Sequence, residues 1–301
     1  MAKKFTQYEA ATVIADSDVD LTVQNVPTTP VSRKRPFSLI KSTLKTYFDS
    51  LYSSLPIAIV DGLTLSNNVS DANNDIDIAA GKAADSAGTE NMVLSSSLTK
   101  RLDAVWAVGT NQGGLDTGTK ANSTWYHVWL IKRPDTGVVD VLFSTSATAP
   151  TMPTSYTKKR RIGAVKTNGS GNIIAFLQYG DEFLWLSPPA LDVDTAVLST
   201  TRTNYTLASV PSGIVVSANI NAGCYNAAAR MIYISNPNLT DLAPSTSVTP
   251  LATIASSAGL TNTLKLYTYT NASAQISAVA NGASTTFKVA VLGWEDPRGK
   301  W

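Results

Sequence analysis

The adjacent acids Asp181-Glu182 are the residues of this chain that come nearest to a hydrolytic centre. Glycosidases hold two carboxylates roughly 5–10 Å apart, one as acid and one as base or nucleophile. Neighbours on a strand point to opposite faces, so this pair cannot flank one bond by itself. A second carboxylate from Asp140, Asp192 or Asp194 stays open at this level; the plainer reading is a turn pair ahead of Pro188-Pro189. His127, the only histidine, lies between Trp125 and Trp129 in a strand and reads as a satisfied interior or interface residue. No Gly-x-Ser-x-Gly elbow accompanies it, so a Ser-His-Asp site has no scaffold. Asp71, Asn73, Asp75 and Asp77 imitate a calcium loop, but Ile76 stands where the loop needs glycine and Lys82 where it needs an acid. Asp16, Asp18 and Asp20 fail in the same way, with Pro27 at the last ligand position. No catalytic residue, metal site or cofactor is expected.

What remains is the chemistry of contact. Tyr225, Tyr267, Tyr269 and Trp294 stand near Asn and Ser loops, where aromatic faces stack on sugar C–H surfaces and amides bind hydroxyls. Each suits a core or an interface between copies equally well. Arg33-Lys34-Arg35 offers a basic run to an acidic partner, although Lys and Arg on an edge strand also discourage unwanted pairing. Cys224 reads as a small buried residue.

Composition bounds these readings. A chain of 301 residues suggests two or three domains. It is 44% hydrophobic and only 15% charged, against a usual charged share of about 25%, so Ser, Thr, Asn and Ala must cover the surface. That texture suits rigid β proteins and extended oligomers. A net charge of +2 is too small to argue for nucleic acid or an anionic membrane as partner. One cysteine rules out an intrachain disulfide framework and any multi-cysteine metal site. No charged stretch followed by an apolar one opens the chain, and no apolar run is long enough to span a bilayer. A protein made soluble in a cytoplasm, without membrane insertion, is expected.

Three segments emerge: 1–55, 56–188 and 189–301. In the first, Thr12–Ala15 and Val19–Gln24 read as strands around a polar turn, and Val31–Arg35 as a further strand. Ser38 is placed to cap a helix running to about Tyr52, with Ile40, Leu44, Tyr47, Phe48 and Leu51 on one stripe. That stripe either covers its own small sheet or bundles three copies. In the second, Ile57–Val60, Leu63–Ser66 and Asn73–Ala83 read as extended, Leu98–Trp106 as a helical turn becoming a strand, and Asn111–Gly118 as loop. Trp125–Ile131, Val138–Ser144, Arg160–Val165 and Ile173–Trp185 are antiparallel strands cut by turns. Trp125–Ile131 is apolar on both faces, so it is buried on both sides or packs against another chain. Ser187-Pro188-Pro189-Ala190 is the linker candidate. The third segment carries roughly seven short alternating runs, from Ala196–Leu198 through Gly213–Ile220 to Thr286–Trp294, with Asn281-Gly282 as a hairpin signal. The predicted fold is mainly β: a small N-terminal α+β anchor, a central antiparallel β module and a C-terminal β-sandwich, jelly-roll-like.

The ordered motifs Tyr126-His-Val-Trp-Leu-Ile131, Asp140-Val-Leu-Phe-Ser-Thr-Ser-Ala-Thr-Ala-Pro-Thr-Met-Pro153, Lys159-Arg-Arg-Ile-Gly-Ala-Val165 and Gly180-Asp-Glu-Phe-Leu-Trp185 resemble a module of tail fibre and related virion proteins of tailed bacteriophages. The resemblance covers Leu63 to Leu186. The Lys45-Thr-Tyr-Phe-Asp-Ser-Leu-Tyr52 helix and the closing Leu292-Gly-Trp-Glu-Asp-Pro-Arg-Gly299 are similar to the two ends of such proteins. It implies a non-enzymatic homotrimer, located in the virion, whose N-terminal segment docks to portal, collar or tail proteins through residues such as Arg33, Lys34 and Arg35. The C-terminal domain would then face a host surface glycan or outer-membrane protein. A collar, head-fibre or decoration protein without receptor contact is the structural alternative. A glycan-depolymerising tailspike is the enzymatic one, though the chain carries no long β-helix repeat.

Overall fold

A computed structural model describes residues 19–24, 31–51, 59–187, 190–245 and 251–300. The chain divides into two compact units, Met1–Leu55 and Pro56–Trp301. The expected strand Thr12–Ala15, together with Asp16 and Asp18, lies outside the described residues. In the first unit β1 (Val19–Gln24) and β2 (Val31–Pro36) form a two-stranded antiparallel ribbon. Pro36 closes the ribbon, and the helix α1 (Phe37–Leu51) begins at the next residue, two earlier than a cap at Ser38 predicts. Leu44 and Tyr47 of the expected stripe are exposed.

The second unit is built of strands. Before the double proline they are β3 (Val60–Gly62), β4 (Leu65–Asn67), β5 (Asp75–Ile78), β6 (Gly81–Ala84), β7 (Asn91–Leu94), β8 (Leu98–Val105), β9 (Gln112–Leu115), β10 (Trp125–Lys132), β11 (Val139–Ser144), β12 (Lys158–Lys166), β13 (Phe176–Tyr179) and β14 (Glu182–Trp185). After it come β15 (Val193–Leu198), β16 (Thr203–Thr206), β17 (Ser217–Tyr225), β18 (Arg230–Ser235), β19 (Ala252–Ser256), β20 (Asn262–Tyr269), β21 (Gln275–Ala280) and β22 (Thr285–Glu295). A seven-stranded sheet has the order β12-β10-β11-β9-β8-β5-β4, and β3-β6-β7 form a small sheet of their own. The last eight strands pair as nested hairpins: β15 with β22, β16 with β21, β17 with β20 and β18 with β19. Two further pairings, β17 with β22 and β18 with β21, gather them into two four-stranded layers.

Several elements differ from the sequence expectation. Gln112–Leu115, expected as loop, is a strand parallel to both β8 and β11. Its glycines allow the approach: a Cβ on Gly113 would lie 2.0 Å from the Val105 carbonyl oxygen, and one on Gly114 2.7 Å from the Phe143 ring. Leu98–Val105 is strand throughout, without a helical turn. The run predicted at Gly213–Ile220 becomes strand only at Ser217 and continues to Tyr225. β19, Ala-Thr-Ile-Ala-Ser, was not expected as a strand, so the described residues of the C-terminal segment hold eight strands and not seven. Asn281-Gly282 does not close a hairpin, because β21 and β22 belong to different layers. Asn281 instead bonds the edge of β18, exchanging hydrogen bonds with Met231.

Ser187–Ala190 does not separate two packed bodies. β14, from before it, pairs with β22, from the chain's end, and β14 and β15 lie in tandem along one edge of β22. One hydrophobic core runs from Leu63 to Trp294. β10 is buried on both faces within the chain: Tyr126, Val128 and Leu130 enter the main core, while Trp129 and Ile131 pack with Leu142 and Tyr156. At the junction Trp294 is fully enclosed, stacked on Phe183 at 5.0 Å and edge-on to Trp125 at 5.2 Å. A receptor role for Trp294 is therefore corrected: its ring faces the interior.

The residues after β22 continue into the central module. Asp296, fully buried, takes a two-pronged ion pair from Arg161, one arm at 2.9 Å, and accepts the Arg298 backbone N–H at 2.7 Å. Burial alone would raise the Asp296 carboxyl; the Arg161 charge and hydrogen bonds hold it below the ordinary carboxylate range. Arg298 donates to the carbonyls of Leu63 and Ile162, both at 2.9 Å. His127, 1% exposed, neighbours this pair; it is interior as expected, with a backbone hydrogen bond to Ser212, while its Nδ1 has no partner among the described residues. Burial, aided by the Arg161 charge, lowers its pKa to about 4.

Replacing Trp294 removes an aromatic anchor shared by both segments, so Trp294→Ala should cost about 3–5 kcal/mol in urea unfolding. The central and C-terminal segments should still melt in a single transition. The histidine sets an acid dependence. Above its unfolded value of about 6.5 the imidazole is neutral in both states and its stabilisation is complete. Below that only the unfolded chain takes the proton, until the folded pKa of about 4 is reached. Stability should fall by roughly 3 kcal/mol across this window, and His127→Gln should flatten that part of the profile by about one proton's slope.

Candidate ligand-binding face

The outer face of the sheet β13-β14-β22-β17-β20 brings exposed tyrosines and acidic side chains together. Along β20 the alternation is as predicted: Lys265, Tyr267 and Tyr269 are exposed, while Leu264 and Leu266 turn toward the core. The register then builds two rows across the sheet. One runs Leu184, Gly293, Asn219, Tyr267 and the next Glu182, Glu295, Ser217, Tyr269.

Tyr267 is held in place from two sides. Its hydroxyl accepts a hydrogen bond from Asn219 Nδ2 at 3.0 Å and donates one to Glu182 Oε1 at 2.8 Å. β20 and β14 are three strands apart, about 14 Å at ordinary strand spacing, so both side chains must lie along the sheet to meet. Glycine at 293 keeps that row low. The ring is 48% exposed and Asn219 beneath it only 1%. The hydrogen bond to Glu182, with some burial, raises the Tyr267 phenol above its ordinary pKa.

Beside it Tyr269 borders a cavity of about 180 Å³ with Asp181, Ser217, Glu295, Asp296 and Pro297. Glu182 stands directly opposite Glu295 across the two strands. Like charges so placed are unfavourable, and neither forms an ion pair among the described residues. Asp181, in the turn before β14, pairs with Lys300 at 2.5 Å. The chemistry available is a flat aromatic ring flanked by carboxylate and hydroxyl acceptors on an open sheet, which fits hydroxyl-rich ligands.

The other sequence candidates lie elsewhere. Tyr225 is 40% exposed but stands six residues along β17 from Asn219, about 20 Å away. Arg33, Lys34 and Arg35 face Thr22, Leu21 and Asp20 in the ribbon of the first unit. None of the three acids left open as a partner for Glu182 is free. Asp140 is buried against Lys100 at 2.9 Å, Asp192 accepts from Ser209, and Asp194 pairs with Lys288 at 3.1 Å. The carboxylate that does face Glu182 is Glu295, which sequence reasoning missed together with Ser217 and Asn219. Only strand register brings these residues in, and nothing in the local sequence carries register across 113 positions. Asp71 caps its own turn through the Asn73 and Asn74 N–H groups, and no metal-capable cluster of three acids, histidines or cysteines occurs among the described residues. Cys224 is buried, as predicted.

Glu182→Gln should remove the acceptor charge and bring the Tyr267 titration down toward the ordinary value near 10, read by NMR on ring-labelled tyrosine; an unchanged midpoint would contradict the hydrogen bond.

No protein-family model and no curated protein matches the chain. Among solved structures it is similar to dimeric latent PorU from Porphyromonas gingivalis, at 11% identity over 81% of this chain, with a TM-score of 0.17. The chain spans 25% of the length of that protein.

Proposed function

We propose that this chain is a structural virion protein of a tailed bacteriophage, a homotrimeric fibre or spike subunit that binds a host surface glycan through its C-terminal sandwich. The observation that carries the ligand part is Tyr267, laid across an open sheet by Asn219 and Glu182 with Tyr269 beside it. A preset ring loses little freedom when a sugar stacks on it, and the flanking acceptors suit hydroxyls. The nested pairing of the last eight strands supports a jelly roll, in which a long hairpin is folded into two layers. Exposed Leu44 and Tyr47 on α1 support an apolar stripe shared between copies, with Arg33, Lys34 and Arg35 offered to the portal, collar or tail. The resemblance of the central motifs to fibre modules supports the virion setting.

Two facing carboxylates, Glu182 and Glu295, keep the depolymerase reading in view, but Glu182 is already committed to the Tyr267 hydroxyl and the pair lies on an open sheet face without opposing elements to hold a sugar ring between them. The test uses the full chain with host cells and their purified surface polysaccharide. Binding should weaken at least tenfold in Tyr267→Ala/Tyr269→Ala, with melting unchanged and sedimentation as a trimer in both proteins. Release of reducing ends would replace this reading with a hydrolase. A monomer that binds no glycan would remove it.

A further inference from the structure

The cavity beside Tyr269 is lined by a hydroxyl that the protein itself leaves unused. Ser217 is 7% exposed, and its side chain forms no hydrogen bond among the described residues. Ala218 and Ile220 of the same strand enter the core, so Ser217 turns to the outer face with its cross-strand neighbours Glu295 and Tyr269. All three line the same cavity of about 180 Å³. Asn219 Oδ1 and Trp294 Nε1 are unpartnered atoms sealed inside the protein; the Ser217 oxygen is not sealed, and opens into that space. Charge at this corner is unbalanced. Asp296 is held by Arg161, and Asp181 by Lys300 at 2.5 Å and Arg298 at 3.8 Å. Glu295, which is exposed, and Glu182 opposite it have no ion-pair partner among the described residues. Lys265 on β20 stands four residues from Tyr269, about 13 Å away. Two facing carboxylates and a free hydroxyl are thus left without a cation to answer them.

We propose that this cavity takes a primary ammonium group, carried by an amino sugar of the ligand that stacks on the tyrosines; the inference rests on the glycan reading of the same face. An ammonium offers three N–H donors. The cavity lining supplies matching acceptors in the Ser217 hydroxyl and the Glu295 and Asp181 carboxylates. A positive charge beside Glu295 also relieves its repulsion with Glu182. Tyr269, 54% exposed at the rim, adds the attraction of a ring face for a cation. A bare metal ion fits less well, because no three acids, histidines or cysteines converge on one point among the described residues. The volume holds a head group and a few waters, so the sugar ring itself stays outside, over Tyr267 and Tyr269.

The test titrates the full chain, by calorimetry, with glucosamine oligomers and with the same oligomers N-acetylated. Acetylation removes the charge and leaves the sugar faces in place. Wild type should bind the amine form about tenfold more tightly, as hydrogen bonds to a charged group allow, and the advantage should shrink as salt is added. Glu295→Gln, at an exposed position, should fold and bind the two forms equally. Ser217→Ala, which keeps every charge, should narrow the gap without closing it. Equal binding of both forms by wild type overturns the inference and leaves the glycan reading standing. An advantage kept in full by both variants overturns the site. Binding of neither oligomer overturns the inference too, while the polysaccharide test of Tyr267→Ala/Tyr269→Ala judges the glycan reading separately. A lysine-rich peptide that binds as tightly as the amine oligomer assigns the cavity to a protein side chain and overturns the sugar.

Discussion

The docking of the segment Trp294–Arg298 into the central module is the interaction on which the second unit depends. Trp294 fills the junction with Phe183, Trp125 and Trp185 around it, all at ring separations of 5.0 to 5.2 Å. Two residues on, Asp296 answers Arg161, and Arg298 satisfies carbonyls on β12 and beside β3 and β4. Apolar contact supplies the area, while the buried charges supply direction, since each has few places where its partners are available. The last strand is therefore both the centre of one layer and the clasp that holds the central sheets to it.

Charged side chains are ordinarily kept outside, and this chain has only 15% of them. This one buries Lys100 with Asp140, Arg161 with Asp296, and Arg298 among carbonyls. Removing one partner from such a pair leaves an uncompensated buried charge, so these groups penalise any register that separates them. The surface left to Ser, Thr, Asn and Tyr is then free to form flat, weakly charged faces, and the outer face of the β17–β20 hairpin is one of them.

Much of this was legible in the chain. The strand runs around Trp125, Val139, Arg160 and Thr263 were recognisable because period-two alternation and turn residues are local signals. Tyr267 and Tyr269 could be assigned to one face with Lys265 for the same reason. Cys224 was placed inside because a free cysteine behaves as a small hydrophobe. β9 and β19 were not legible, because a Gly-Gly run and a five-residue stretch with one large apolar side chain are too weakly patterned to stand out from loop and become strands only when flanking strands complete their hydrogen bonds.

Composition and alternation, acting within a few residues, determined by themselves that this protein is β-rich, which residues could share a strand face, and that metal loops and nucleophile motifs are missing their essential members. Tertiary structure alone decided that Trp294 points inward, that Glu295 meets Glu182, that Asn219 underpins Tyr267, and that Asn281-Gly282 turns between layers. Those outcomes depend on which strand lies next to which, and in what register, over separations of tens to hundreds of residues. Pairing of that range is set by the whole core at once, so no local stretch of sequence can carry it.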